Sequence, residues 1–429
     1  MGLKRLIAHA FGRATKAMRP SVGQMVQPMA ADRWRDYPAD GLTPARLVQI
    51  LREADDGAID RAMALYQQME EKDAHLYAVA RTRRQALTGL SWQVISAADL
   101  HDVPDRAAAD EAADYCGEVL SGIERFDDAL EHLSLALGRN IAVAENVWDF
   151  ADGELRLVDI VPVAFERLTF DEAGKLRVLT EEAPYEGIEL PPNKFIVHVP
   201  HAASGHPMRG GLLRASALAY LGKHLAMKDW LVYAELFGMP VRVARYEPSA
   251  TPEEKRELLK MLESLRADAA GIFSKAVELQ LLEAGQGKSP PPYEHICEFF
   301  NRELSKAWLG GTLTVETTGA GLERSSGGPS VHNEVRLDLR QDDIASEGRT
   351  IRRDVLGPVA RLRFGDRVPV PYFRRQLELP RDRRELSEVL DRAVNELRMR
   401  VPARWAHDVL GIPMASEEET VLRGTLGSG

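Results

Sequence analysis

Apolar positions along the 429-residue chain recur first at helical spacing, then at strand spacing, then at helical spacing again. Thr43 stands as an N-cap before Pro44 at a first helical position, and Leu47, Ile50 and Leu51 form the stripe of the first predicted helix. Ile59, Met63, Tyr66 and Met69 mark a second helix; Leu76, Val79 and Leu87 mark a third that Gly89 stops. A short strand is expected over 91–95, with Trp92 and Val94 on one face, followed by helices over about 106–121 and 125–137. From 140 to 200 the period becomes two. Segments 141–148, 155–160, 165–170, 176–180 and 195–199 alternate between turn signals such as Asp152 with Gly153, and together predict an antiparallel sheet or small meander.

Helical spacing returns over about 212–237, ended by Gly238 and Pro240. A compact strand–helix–strand unit follows: strand 241–246, a helix opened by the capping box of Thr251 and Glu254 with Pro252 in its first turn, and strand 276–282. Helices are predicted again over about 292–309, over 331–356 with an end near Gly357 and Pro358, and over 383–400. Between the first two, residues 312–330 are polar and rich in Gly and Ser, which reads as a mobile loop. The pattern as a whole is α+β, long helices plus small antiparallel sheets, with length enough for roughly two to four packed units.

Composition narrows the class. A hydrophobic content of 45% and a charged content of 28% are ordinary for a globular protein, and no apolar run approaches the ~20 residues that span a bilayer. The two cysteines, Cys116 and Cys297, lie far apart in helical patterns, which argues against a disulfide framework and for a reducing origin in the cytoplasm. Net charge is −10, yet the first acid is Asp32; Lys4, Arg5, Arg13, Lys16 and Arg19 precede it beside Leu3, Leu6 and Ile7 at helical spacing, so residues 1–40 read as a basic amphipathic arm. Residues 349–404 hold fifteen Arg and no Lys against eight acids. Because those acids are interleaved, ion pairing within or between subunits is favoured over nucleic-acid contact.

Candidate chemistry is sparse. AGQGKS at 284–289 suggests a phosphate loop, but Leu282 stands where the motif needs Gly, and Pro290, Pro291 and Pro292 follow where a helix must begin. His198, His201 and His206 cluster, yet their spacing matches no closed metal pattern and brings no carboxylate or thiolate. There is no nucleophile elbow and no H-E-x-x-H, and Glu70 with Glu71 or Glu253 with Glu254 reads as solvated helix surface. No catalytic residue, metal or cofactor is expected.

Two longer strings carry a resemblance. GHPMRGGLLRASALAYLGKHLAMKDWLVYAELFGMPVRVARY at 205–246 is similar to the segment of Mu-like bacteriophage portal proteins in which a Gly-rich turn leads into a helix ending in Phe-Gly-x-Pro, here Phe237, Gly238, Met239 and Pro240. FFNRELSKAWLGGTLTVETTGAG at 299–321 resembles that family's Asn-Arg-Glu-Ile-Ser-Lys helix followed by Leu-Gly-x-Thr-Leu-Thr. Asn301, Arg302, Glu303, Ser305, Lys306, Leu309, Gly310, Thr312, Leu313 and Thr314 match, and Leu304 replaces Ile. The similarity extends over roughly 40–412.

The resemblance implies a non-enzymatic virion protein, a ring of about twelve copies at the capsid vertex, made in the host cytoplasm, through which double-stranded DNA is packaged and ejected. Its implied partners are the terminase large subunit, the major capsid protein and a head–tail adaptor, with no membrane. The implied division is a basic arm over 1–40, a wing over 41–210, a stem helix over 211–240, a clip over 241–291, a returning stem helix over 292–311, a tunnel loop over 312–330, a wing helix and strand over 331–378, and a crown-like end over 379–429. On this mapping Thr317, Thr318, Arg324, Ser325 and Ser326 belong to the tunnel loop, and Arg242, Arg245, Glu253, Lys255 and Lys288 to the partner-docking clip. Along the returning helix Glu294, Glu298, Asn301 and Ser305 share a polar face expected to line the channel, opposite Ile296, Phe300 and Ala307. The competing class is a cytoplasmic α+β enzyme or nucleic-acid-processing factor, which needs a converging polar site.

Overall fold

A computed structural model describes residues 23–26, 41–151, 153–201, 206–237, 241–246, 251–253, 255–256, 260, 277–282, 292–312, 328–377, 383–410 and 412. The chain divides into two units, residues 1–375 and 376–429.

The first unit opens with three helices, α1 (Pro44–Asp55), α2 (Asp60–Lys72) and α3 (Ala74–Thr88). Thr43 caps α1 by accepting from the amide of Arg46, with Pro44 at the first position, as the sequence predicts. Asp73 caps α3 by accepting from His75 and Leu76. After strand β1 (Trp92–Ile95) come α4 (Arg106–Ser121), α5 (Phe126–Ser134) and the single turn α6 (Ala136–Arg139), which Asn140 closes with φ of 60°.

The alternating region forms two sheets where one meander was expected. β2 (Ala142–Ala151) and β3 (Glu154–Val163) make a hairpin, and β7 (Phe195–His198) adds antiparallel to the other edge of β2, giving the order β3-β2-β7. β4 (Leu168–Phe170), β5 (Leu176–Val178) and β6 (Ile188–Glu189) form the second sheet; β6 was not foreseen, and at two residues it is too short to show a period. The central sheet is buried on both faces. Ile141, Val143, Val163 and Phe195 enter one core with α1, α2 and α3, whereas Ala142, Ala144, Ile160 and Ile196 enter a second core with α4 and α5.

Two long helices, α7 (Leu212–Phe237) and α8 (Tyr293–Leu309), flank the antiparallel ribbon of β8 (Val241–Tyr246) and β9 (Val277–Leu282). Their close approach depends on Gly222, where a Cβ would fall 2.3 Å from the ring of Phe300. α9 (Gly328–Ile351) does not end near Gly357 as predicted: it widens through a π-turn at Arg352–Leu356 and continues as α10 (Gly357–Phe364). The wide turn accommodates Pro358, which has no amide to donate and whose ring would clash with a regular preceding turn. β10 (Tyr372–Arg375) then pairs with β1, closing a ladder between residues almost 280 apart in sequence. The second unit contains α11 (Arg383–Asp391), a π-turn at Arg392–Glu396 and α12 (Ala403–Leu410), so the helix expected over 383–400 stops short.

Candidate functional site: a shared post for three long helices

α3 is the element to which α7, α8 and α9 are tied. At its start, Asp73 forms a buried ion pair at 2.7 Å with Lys223 of α7 while capping its own helix. Two residues on, His75 Nε2 lies 2.8 Å from Ser305 Oγ of α8. Arg83, also buried, grips the Asp343 carboxylate of α9 with Nε and Nη2, both at 3.0 Å, and donates through Nη1 to the carbonyl of Trp308 at 3.0 Å. That carbonyl lies in the last turn of α8, where no intrahelical donor reaches it. Arg83 therefore joins the end of α8 to α9, the two supports of segment 313–327. Gly310, with φ of 71°, ends α8, and a Cβ there would lie 2.7 Å from Val335 of α9.

The packed face of α9 is polar for much of its length. Asp343 meets Arg83, Ser346 donates to the Pro200 carbonyl at 3.2 Å, Glu347 holds Arg375 through two bonds of 2.8 Å, and Thr350 Oγ1 lies 3.0 Å from Nδ1 of His198. Such contacts are directional, so they fix the rotation and register of the helix as apolar packing alone does not. The first core supplies the remainder: Leu304 and Trp308 of α8 are buried, and the Trp308 indole donates to Ser216 of α7 at 3.0 Å.

A second buried charge pair lies at the edge of the central sheet. Lys194 and Glu145 are fully buried 3.0 Å apart. Glu145 accepts from the amides of Met25 and Val26, and Lys194 donates to the carbonyls of Gly23 and Asn146. Gly23 also donates its amide to Trp148 at 2.9 Å, so Gly23–Val26 continues the edge of β2 where β7 leaves off.

The outer parts of α7 and α8 extend beyond this framework. On α7, Met227, Trp230, Leu231, Val232 and Tyr233 are all exposed, Leu231 to 72%, and on α8 Phe299 is 50% exposed. Tyr233 meets Tyr293 with ring centroids 5.9 Å apart, yet most of this apolar surface is left uncovered by the described residues.

The positions predicted to line the channel differ in exposure. Glu294 and Glu298 are exposed, Glu298 sitting 3.9 Å from Arg302. Asn301 is half-buried with an enclosed Oδ1, and Ser305 is buried against His75. The expectation for Ser305 is therefore corrected: the packed stripe of α8 runs through Leu304, Ser305, Trp308 and Leu309, which turns that end of the polar face into the protomer. Ile296, expected on the packed side, is 37% exposed. Of the clip positions, Arg242 lies opposite Leu281 and Arg245 opposite Glu278 in the ribbon. Glu253 pairs with Arg256 at 3.1 Å on the surface, and Lys255 donates its amide to Thr251. Lys288 and the loop positions Thr317, Thr318, Arg324, Ser325 and Ser326 lie outside the described residues.

The histidines do not converge. His198 is buried beside Thr350, and burial first, then Arg353, pushes its pKa down to about 3. His206 packs edge-on to Phe170 at 4.3 Å. No group of three or more potential ligands capable of holding a metal occurs among the described residues, and no helix there is long and apolar enough to cross a membrane. Sequence reasoning overlooked Arg83, although the stripe Leu76, Val79, Ala80, Arg83, Leu87 places an arginine on an apolar face. A charge at that position signals a buried partner elsewhere in the chain.

What this framework defines is a chain with two long helices tied to a mixed body and with exposed apolar residues along them, and the comparisons give that class its family. The family model for the portal protein of Mu bacteriophage matches residues 63–412. A Mu-like prophage FluMu protein, gp29, of Haemophilus influenzae is 32% identical over 400 residues, covering 91% of this chain and 74% of that protein. The portal protein of Escherichia phage Mu is 30% identical over 406 residues, covering 92% and 75%. In fold, the chain is similar to a protein in the virion of a native gene transfer agent particle, with a TM-score of 0.53, 11% identity and coverage of 82% and 94%. It is also similar to one in the neck of an empty particle of that agent, with a TM-score of 0.52, 12% identity and coverage of 87% and 95%. The chain belongs to the portal protein family of Mu bacteriophage.

Proposed function

We propose that this chain is the subunit of a homo-oligomeric ring of about twelve copies at a capsid vertex of a Mu-like phage or prophage, and that double-stranded DNA enters and leaves the capsid through its centre. The observation that carries the ring is the bare apolar surface of α7 and α8: Trp230, Leu231, Val232 and Phe299 are exposed, on helices otherwise fixed rigidly to α3. A neighbouring copy on each side covers such surface, and a repeated head-to-tail contact closes as a ring. Family membership supports the DNA conduit, and the similar fold in the neck of an empty gene transfer agent particle computed with C6 symmetry supports a cyclic assembly. In this reading the protein is a virion component assembled in the host cytoplasm, and it catalyses no reaction. The β8–β9 ribbon and residues 251–260 form the docking clip for the terminase large subunit and later the head–tail adaptor, the wing meets the major capsid protein, and Glu294 and Glu298 remain the channel-lining candidates of α8.

Mass photometry with negative-stain imaging tests the ring. About twelve copies of the 47.6 kDa chain give rings of roughly 570 kDa with a central hole. Leu231→Glu combined with Phe299→Glu is expected to leave the melting of the protomer unchanged and to abolish the rings. Rings that survive both substitutions would refute the assignment of this surface, and a protein that stays monomeric at every concentration, with capsid protein present, would refute the portal reading.

A further inference from the structure

Arg336 and Arg340 lie one helical turn apart on α9, just after segment 313–327, and both line a small cleft with Thr82, Ala86, Leu309 and Leu339. Arg340 donates through Nε to the Ala86 carbonyl at 2.7 Å, which fixes its guanidinium to α3; Arg336 is exposed. Neither has an ion pair among the described residues. The sequence offers them no uncommitted acid at the facing positions of their own helix. The positions three and four residues away from Arg336 are His332, Asn333, Leu339 and Arg340; those around Arg340 are Arg336, Leu337, Ile344 and Asp343, and Asp343 is held by Arg83. Like charges at this spacing cost an isolated helix ~0.2–0.5 kcal/mol, and an acid substituted at any of those positions would relieve it. Burial and Arg336 together push the pKa of Arg340 down, which places the two guanidinium groups in each other's field. Elsewhere in this unit the arginines near the post are matched: Arg83 with Asp343, Arg84 and Arg139 with Glu70, Arg375 with Glu347. A pair left uncompensated among the described residues, one member anchored and the other exposed, beside the end of α8, has the chemistry of an anion clamp.

We propose that Arg336 and Arg340 together bind a backbone phosphate of duplex DNA at the cleft between α3, the end of α8 and α9. The proposal rests on the conduit reading and adds to it a contact site outside the loop and outside the face of α8. Contact through phosphates carries no base information, so every sequence is held alike while it passes.

The test is equilibrium binding of a short fluorescent duplex of mixed sequence to the assembled ring, followed by anisotropy as salt is raised. Ring mass and melting are checked for each variant. For Arg336→Gln with Arg340→Gln, the slope of log affinity against log salt is expected to become shallower by about 0.9 for each phosphate no longer neutralised, with weaker binding at low salt. Arg336→Lys with Arg340→Lys keeps the slope and loses part of the affinity, because the charge stays and the forked geometry goes. If the double Gln variant disturbs assembly, Arg336→Gln alone, at an exposed position, reads the same slope. A wild-type slope and affinity in the Gln variants overturn the proposal while leaving the conduit standing. Wild-type rings that bind no duplex at all overturn the conduit reading itself. Inorganic phosphate titrated alone that binds as tightly as the duplex, and loses that binding in the Gln variant, would assign the pair to a free anion and overturn the assignment to DNA.

Discussion

Replacing Arg83 with methionine removes three buried hydrogen bonds while filling much of the same volume, and its cost follows from what remains. Asp343 keeps a carboxylate that is almost wholly buried and has lost its bidentate partner, a change that costs about 3–5 kcal/mol in comparable sites. The Trp308 carbonyl at the end of α8 loses its donor as well, for about 1 kcal/mol more. Asp343→Leu strands the arginine in the same way but spares the bond to Trp308. With both substitutions no unpaired charge is left and only the carbonyl is unsatisfied, so the double variant is expected to cost far less than the sum of the two. The apparent coupling is then about 6–10 kcal/mol, the two stranded-charge penalties that the double variant no longer carries. Hydrogen exchange at the amides of α3 and α9 reads these values as local opening free energies, without requiring the whole ring to unfold reversibly. Additive single substitutions, or a loss below 1 kcal/mol for Arg83→Met, would refute the view that one arginine holds both supports of the loop. A second consequence follows from the geometry: Arg83→Met should raise exchange at Trp308, Leu309 and Gly310 along with α9, because all of them share the one guanidinium.

Two further expectations concern charge inside the protein. Burial lowers the pKa of His132 to about 4 and that of His198 to about 3, from the usual 6.5, so both are neutral in the folded chain at pH 6 while the unfolded chain takes up protons. Stability should therefore fall as pH drops below about 6.5, by up to about 1.4 kcal/mol per pH unit for each histidine, until the folded-state pKa is reached. His132→Asn should flatten the denaturation free energy between pH 6 and 4, and an unchanged slope would count against it. At the sheet edge, Lys194→Met should leave Glu145 alone in the core and release Met25 and Val26 to exchange, whereas adding Glu145→Leu should restore much of the stability but not the protection of those two amides. Protection retained in the single variant would show that the ion pair is not what holds the segment.

The local elements of this fold are legible because their signals are local. Thr43 with Pro44 gives the start of α1, Gly310 gives the end of α8, and the stripe of α3 is readable from Leu76 to Leu87. What escapes is set by distant partners. β10 falls within the helix-and-strand region that the resemblance implies over 331–378, but no spacing within Tyr372–Arg375 announces that it pairs with β1. Gly357 and Pro358 carry the ordinary mark of a helix end, but a π-turn absorbs the missing amide and the buried contacts of Val355, Leu356 and Val359 keep the chain helical. The polar face of α8 was drawn from periodicity alone, which cannot say where along the helix a neighbour ends. His75 decides it at Ser305. The strings that identify the family lie on α7 and α8, whereas the residues that fix those helices in place, Asp73, His75 and Arg83, lie on α3, about 130 positions or more earlier.

The clamp on Gly23–Val26 also imposes an order in time. The amine that holds Gly23 belongs to a residue 171 positions further along the chain, and the carboxylate that receives Met25 and Val26 lies about 120 positions beyond them. At synthesis rates of roughly 5–20 residues per second, Lys194 follows Gly23 by roughly ten to thirty seconds. Until Glu145 and Trp148 are made, about 120 residues after it, the segment has no native partner, although the helices from α1 to α5 have already been made. A segment made before α1 is therefore among the last pieces of the central sheet to be set, and the edge of that sheet stays open until it is.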